Sequence, residues 1–160
     1  MPEDFKSRLK GKVLIVGIGN RMRSDDGVGS ILAERIKDKV PFVVLDTGAS
    51  PENYLEKIIK EKPDTVLFID AVDFAASPGQ FKILEADKIN SLTGFSTHNS
   101  SIQLSINYLQ SNLKADIMML IIQPKAIILG EGLSSQVEES LKILEQMLHE
   151  AGQEKGCRIQ

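Results

Sequence analysis

Two carboxylates and one imidazole, Asp26, Asp70 and His98, come from three separate loops of this chain and could meet at one point. A mixed oxygen and nitrogen set of that kind leaves room on a divalent cation for water or a substrate group. It suits Zn²⁺ or Ni²⁺ better than a structural cysteine site does. Each residue has a plainer reading beside this one. An aspartate at the start of a helix, such as Asp25, can be a cap and nothing more. Asp70 can be a polar strand end turned to solvent, and a lone histidine is more often a hydrogen-bonded structural residue than a ligand. Yet Asp25 and Asp26 are consecutive and are followed by Gly27 and Gly29, which goes beyond a cap. Asp70 follows "VLFI" and precedes Ala71-Val72, so it belongs at a buried lip, where a carboxylate needs a partner. Asp73 reads as surface. His98 lies in the polar run "STHNSS", whereas His149 falls late in an exposed helix.

The elements that must position these residues alternate along the chain. Short apolar runs at 12–17, 41–47, 65–70, 80–86 and 116–124 read as strands, the first and third buried on both sides. Val28, Ile31, Leu32 and Ile36 repeat at helical spacing after Asp26. Ser50 and Pro51 open a second helix with Leu55, Ile58 and Ile59 inward. Ser135 and Glu138 form a capping-box pattern ahead of the stripe Val137, Leu141, Leu144 and Leu148. Strands alternating with helices predict an α/β fold of three layers, a mostly parallel sheet covered on both faces. In such a sheet the site lies beyond the carboxyl ends of the strands, which is where the acids and His98 fall. The segment 101–109, "SIQLSINYL", alternates polar and apolar residues and by period alone reads as a strand.

Three familiar chemistries fit this sequence poorly. "VVLDTGAS" at 43–50 is written like the loop of a pepsin-type or retroviral aspartic protease. Those enzymes are all-β, and here Asp46 ends a parallel strand that leads into a helix, with no second such motif to complete a dyad. The run Gly17-Ile18-Gly19 follows a strand, but the third glycine of a dinucleotide fingerprint would fall on Met22, and Asp25 and Asp26 would repel a pyrophosphate. No Gly-Lys-Ser/Thr occurs, so a Walker loop is absent.

Length and composition bound the rest. A chain of 160 residues suits one domain, with residues 1–11 a peripheral leader and 152–160 a frayed tail. A net charge of −3 with scattered Lys and Arg argues against nucleic acid or an anionic membrane. No signal peptide or membrane-length apolar run is visible. Cys157, the single cysteine, fits a reducing, cytoplasmic setting, and a monomer is the default expectation.

The loops "GIGNRMRSDDGVG", "LDTGASPEN", "LFIDAVDF", "SPG", "STHN" and "IIQP" occur in an order and spacing that resembles the hydrogenase maturation proteases, nearest to the branch serving the formate-hydrogenlyase-type (hydrogenase 3) [NiFe] enzyme. The resemblance spans about residues 12–148. It implies a twisted five-stranded sheet between helices, and an endopeptidase that removes the C-terminal extension of the nickel-loaded large-subunit precursor. It implies Asp26, Asp70 and His98 as the metal-contacting and catalytic set, the metal being the precursor's nickel, with zinc or another divalent ion as a stand-in. Gly19, Asn20, Asp46, Gly48 and Gln123 are then expected to line the substrate cleft. It also implies a helix after the histidine loop, which overrules the strand reading of 101–109. A nickel-sensing chaperone that grips the precursor without cutting would need the same three ligands.

Overall fold

The structure, a computed structural model, describes residues 2–91 and 99–159, and the side chains of 5–89 and 102–154. Five strands, β1 (Val13–Gly17), β2 (Val43–Asp46), β3 (Thr65–Ala71), β4 (Phe81–Glu85) and β5 (Asp116–Ile122), form one sheet in the order β2-β1-β3-β5-β4. β1, β2, β3 and β5 pair in parallel, and β4 runs antiparallel at the β5 edge. β1 and β3 are buried at every residue because both have neighbours on either edge and helices on either face. That double burial is why they read as unbroken apolar runs.

Alternate strand residues feed two cores. On one face Val13, Ile15, Leu67 and Ile69 pack with α2 (Val28–Ile36) and with α5 (Ser135–Ile159), whose Val137, Leu141, Leu144 and Leu148 are all fully buried. On the other, Leu14, Val16, Val66 and Phe68 meet α3 (Leu55–Glu61) through Ile58 and α4 (Asn99–Asn112) through Ile102, Ile106 and Leu109. This is the three-layer α/β arrangement expected. α4 is a helix, as the family resemblance implied and the alternating pattern did not. Ile102 and Ile106 are buried, but Leu104 is 69% exposed and Tyr108 43% exposed, so the alternation mixed inner with outer residues.

Several local expectations are corrected. The leader is not peripheral: α1 (Pro2–Arg8) docks against α5, and Phe5 and Leu9 are 1% and 4% exposed. Nor does the chain fray at residue 152, since α5 runs on to Ile159 with Ala151 buried and Gly152 against Pro41. Glu138 does not fold back on Ser135; its carboxylate accepts from Arg35 at 2.9 Å, an interhelical pair that competes with the capping box. Ser50 makes no side-chain cap, and Pro51–Tyr54 form a 3₁₀ turn before α3 begins.

The sharpest constraint lies between β1 and α2. A Cβ on Gly29 would stand 2.2 Å from the Ile69 carbonyl oxygen and 2.3 Å from that of Ile18. A Cβ on Gly17 would stand 2.2 Å from the Gly29 carbonyl. Gly17 and Gly29 thus provide a close helix–strand approach. Gly29→Ala should cost about 3 kcal/mol, because backbone rather than a movable side chain blocks the methyl group. A thermal melt should show Tm lower by roughly 6–12 °C.

At the opposite end of the sheet Arg8 holds α1 in place. Its guanidinium donates to both carboxylate oxygens of Glu85 and, at 3.2 Å, to Asp116. The hydrogen bonds from Arg8 hold the Glu85 pKa below its ordinary value. The pair's contribution to stability is thus complete above the unfolded carboxylate pKa and is lost as pH falls through the lower folded one. The groups are half exposed, so the effect is small. Arg8→Gln should lower Tm by about 1–3 °C at pH 7, and the gap should close in melts below about pH 4.

Candidate functional site at the carboxyl ends of β1 and β3

The chain leaves β1 towards β2 on one side and later returns to β3 on the other. That reversal, above β1 and β3, is where an open parallel sheet usually has its ligand crevice. Asp70 sits in β3 one residue beyond the Gly17–Ile69 pairing, near the carboxyl end of the strand. It is fully buried, and its Oδ1 accepts the Ala71 amide at 2.8 Å. Asp26 is 2% exposed in the 3₁₀ turn Ser24–Gly27 that precedes α2, and this turn packs against β3. The Gly29 contact with the Ile18 and Ile69 carbonyls is what brings the turn so close. Asn20 donates its amide to Asp26 Oδ2 at 3.3 Å and to the Asp26 carbonyl at 3.2 Å, fixing that side chain's base.

His98 lies outside the described residues. α4 begins at Asn99 and ends at Asn112, shortly before β5 starts at the amino edge of the sheet. Its first residue therefore stands towards the carboxyl edge, the side that carries Asp26 and Asp70. Among the described residues no group of three His, Cys, Asp or Glu gathers at metal-binding spacing.

Asp25 and Asp26 are adjacent but do different things. Asp25 is fully buried and caps no helix. Its Oδ2 accepts the amides of Lys125 at 2.8 Å and Ala126 at 3.3 Å and the hydroxyl of Ser134 at 2.8 Å, while Oδ1 accepts the Ser134 amide at 2.7 Å. Four donors from the segment after β5 take the place of water around this charge, as a buried carboxylate requires. Consecutive acids in the sequence hinted at more than a cap, but nothing local pointed to partners a hundred residues away.

Beside Asp26, towards the β2 edge, is a cavity of about 550 Å³. Gly19, Asn20, Asp46 and Gly48 line it, four of the five residues expected in a substrate cleft, together with Arg21 and Ser30. Asn20 thus faces the cavity while its amide holds Asp26. The Gly19 amide donates to the Gly48 carbonyl at 2.9 Å and joins the first loop to the second. Asp46 is not half of a carboxylate dyad. It accepts from Arg21 at 2.9 Å, from the Ser30 hydroxyl at 2.7 Å and from the Gly48 amide at 3.1 Å. Burial works against the Arg21 cation, but Glu34 and Asp46 outweigh it and raise the guanidinium pKa. The fifth residue, Gln123, is 6% exposed and turned into the fold. Its Oε1 accepts the amides of Phe74 and Ala76, and its Nε2 donates to Asp73 at 3.1 Å and to the Pro124 carbonyl. It shapes the loop after β3 rather than lining the cavity. The sequence reading passed over Arg21 and Ser30; Arg21 stood in the quoted first loop, but no motif marked its pairing with Asp46.

This geometry has close counterparts among known proteins. A family model described as hydrogenase maturation protease matches residues 27–151. The hydrogenase 3 maturation protease of Escherichia coli K12 is 32% identical over 140 residues, which cover 84% of this chain and 87% of that protein. A [NiFe] hydrogenase maturation protease, HycI, from Thermococcus kodakarensis superposes with a TM-score of 0.84 at 31% identity, over 94% of this chain and 99% of that one. The endopeptidase HycI of E. coli superposes with a TM-score of 0.78 at 28% identity, over 87% and 90% of the two chains. The described residues include no helix long and apolar enough to cross a membrane. Across most of its length the chain belongs to the hydrogenase maturation protease family.

Proposed function

We propose that this chain is a cytoplasmic endopeptidase that removes the C-terminal extension of a [NiFe]-hydrogenase large-subunit precursor, and that it cuts only precursor already loaded with nickel. The observation that carries the reading is that Asp26 and Asp70 are both buried, Asp70 near the carboxyl end of β3 and Asp26 in the turn that packs against β3. In this reading the nickel is part of the substrate, and Asp26, Asp70 and His98 are the groups that meet it. Carboxylate oxygens with one imidazole nitrogen form a donor set that Ni²⁺ accepts, and a divalent ion such as Zn²⁺ could replace it in vitro. Two carboxylates held almost out of water gain most from a cation brought to them, so a nickel-loaded precursor should bind better than an empty one.

Binding the metal at this crevice anchors the adjoining peptide and lays it across the cavity lined by Gly19, Asn20, Asp46 and Gly48. That converts a floppy C-terminal segment into a positioned one, which supplies a large part of the barrier reduction in peptide hydrolysis. Water from the open cavity adds to the scissile carbonyl, and the amide nitrogen leaves with the extension. Arg21 and Ser30 hold the Asp46 carboxylate in fixed orientation at the cavity wall. Asp46 acts here as a positioning residue for the peptide.

Intact-mass spectrometry of a precursor incubated with this protein tests the reading. A C-terminal peptide should be lost from nickel-loaded precursor and retained on nickel-free precursor. A stable complex with unchanged mass would instead make the protein a nickel-sensing chaperone. In the same assay Asp26→Asn, Asp70→Asn and His98→Ala should each slow cleavage at least about 100-fold while keeping a cooperative melt. Cleavage by any of them at the parent rate would remove that residue from the metal-contacting set.

A further inference from the structure

The segment after β5 carries an apolar feature that the crevice reading does not use. Ile128 and Leu129 are 66% and 84% exposed, and Met22 across from them is 55% exposed. Large apolar side chains scattered singly over a surface need no explanation, but these three are clustered. A parallel bridge between Arg23 and Gly130 sets Met22 beside Leu129, two strand-like pieces side by side. Their backbones are locked together: the Ser24 amide donates to the Gly130 carbonyl at 2.8 Å, and the Gly130 amide to the Met22 carbonyl at 2.9 Å. Ser24 Oγ donates to the Ile128 carbonyl at 3.0 Å, and the buried Asp25 carboxylate gathers Lys125, Ala126 and Ser134 at the base of the segment. The polar groups of this loop are spent on holding it still while its largest apolar side chains face water. A loop that merely connected β5 to α5 would need neither the buried charge nor the exposed residues.

We infer that the Met22–Ile128–Leu129 knuckle is a docking surface for an apolar segment of the precursor protein. The inference rests on the chain being a processing enzyme with a protein substrate. Two observations choose the occupant. The knuckle stands next to the proposed site in the chain, since Met22 and Asp26 belong to one short loop and Asp25 ties the 125–134 segment to that loop. A body bound at Asp26 and Asp70 therefore extends over it. Its size also argues for a substrate over a second copy of this chain. Three side chains fall well short of the roughly 800 Å² per partner that a stable association buries, whereas they suit a transient contact added to an anchored metal. Prior rigidity makes that small area effective, because little entropy is lost on binding.

The test uses the full-length protein and nickel-loaded precursor, read by equilibrium binding and by cleavage. Ile128→Ser combined with Leu129→Ser leaves the buried face untouched, so its Tm should match the parent within about 2 °C. Kd and KM for the precursor should both rise about tenfold or more, with the rate recovered at saturating precursor. Leu104→Ser, which removes an equally exposed apolar side chain from α4, should change neither. Asp25→Asn, which opposes an amide donor to the donors of the segment, should raise Kd as well and expose the peptide bond after Lys125 to trypsin. Unchanged Kd in the double variant overturns the docking surface. So does a shift of the parent from two copies to one on size exclusion without loss of precursor affinity. Parent protein that binds precursor in a knuckle-dependent way without shortening it keeps the docking surface and overturns the endopeptidase reading, so the two failures are distinct.

Discussion

The site depends on how closely α2 can approach the sheet. Gly29 lies against the carbonyl oxygens of Ile18 and Ile69 with no space for a methyl group, and Gly17 opposes Gly29 in the same way. This backbone-to-backbone contact spans β1 and β3, the two strands between which the chain reverses direction. It brings the turn that begins α2 against β3, the strand that carries Asp70. A nucleotide-binding fold uses a similar approach to present bare amide groups to a phosphate. Here the same position carries Asp25 and Asp26.

Around that contact the loops divide the labour between like residues. Asp25 faces back into the fold and organises the segment after β5, while Asp26 accepts the Asn20 amide. Asp46 is held by Arg21 and Ser30 at the cavity wall, while Asp70 stays at the strand end. Gln123 keeps the loop after β3 in shape through both ends of its carboxamide. Four loops are thus joined by side-chain hydrogen bonds as well as by backbone ones, which gives fixed orientation beyond the strand ends. Preorganisation of this sort is what a site needs if substrate binding is to order the peptide and not the enzyme.

Most of the fold was legible because its strands are short, apolar and separated by helical periods. β1 and β3 announced themselves as buried on both faces, and the stripe from Val137 to Leu148 marked the inner face of α5. The failures have physical causes. In 101–109 every second residue is apolar, yet Leu104 and Tyr108 sit on the outer face of a helix, so period and burial disagreed. The leader looked peripheral because two apolar residues, Phe5 and Leu9, make no pattern by themselves; only packing against α5 buries them. Glu138 matched a capping box but found a stronger partner in Arg35.

The sequence by itself determined the succession of strands and helices, the parallel sheet and the loops that carry the acids. Those features follow from local period and from the few residues that can start or stop an element. The tertiary structure alone decided which of two adjacent aspartates faces inward and that Asp46 pairs with an arginine and not with a second acid. It also turned Gln123 away from the cavity and held Ile128 and Leu129 in water. Each of these rests on hydrogen bonds between residues far apart in the chain, and no local pattern encodes a partner a hundred positions away.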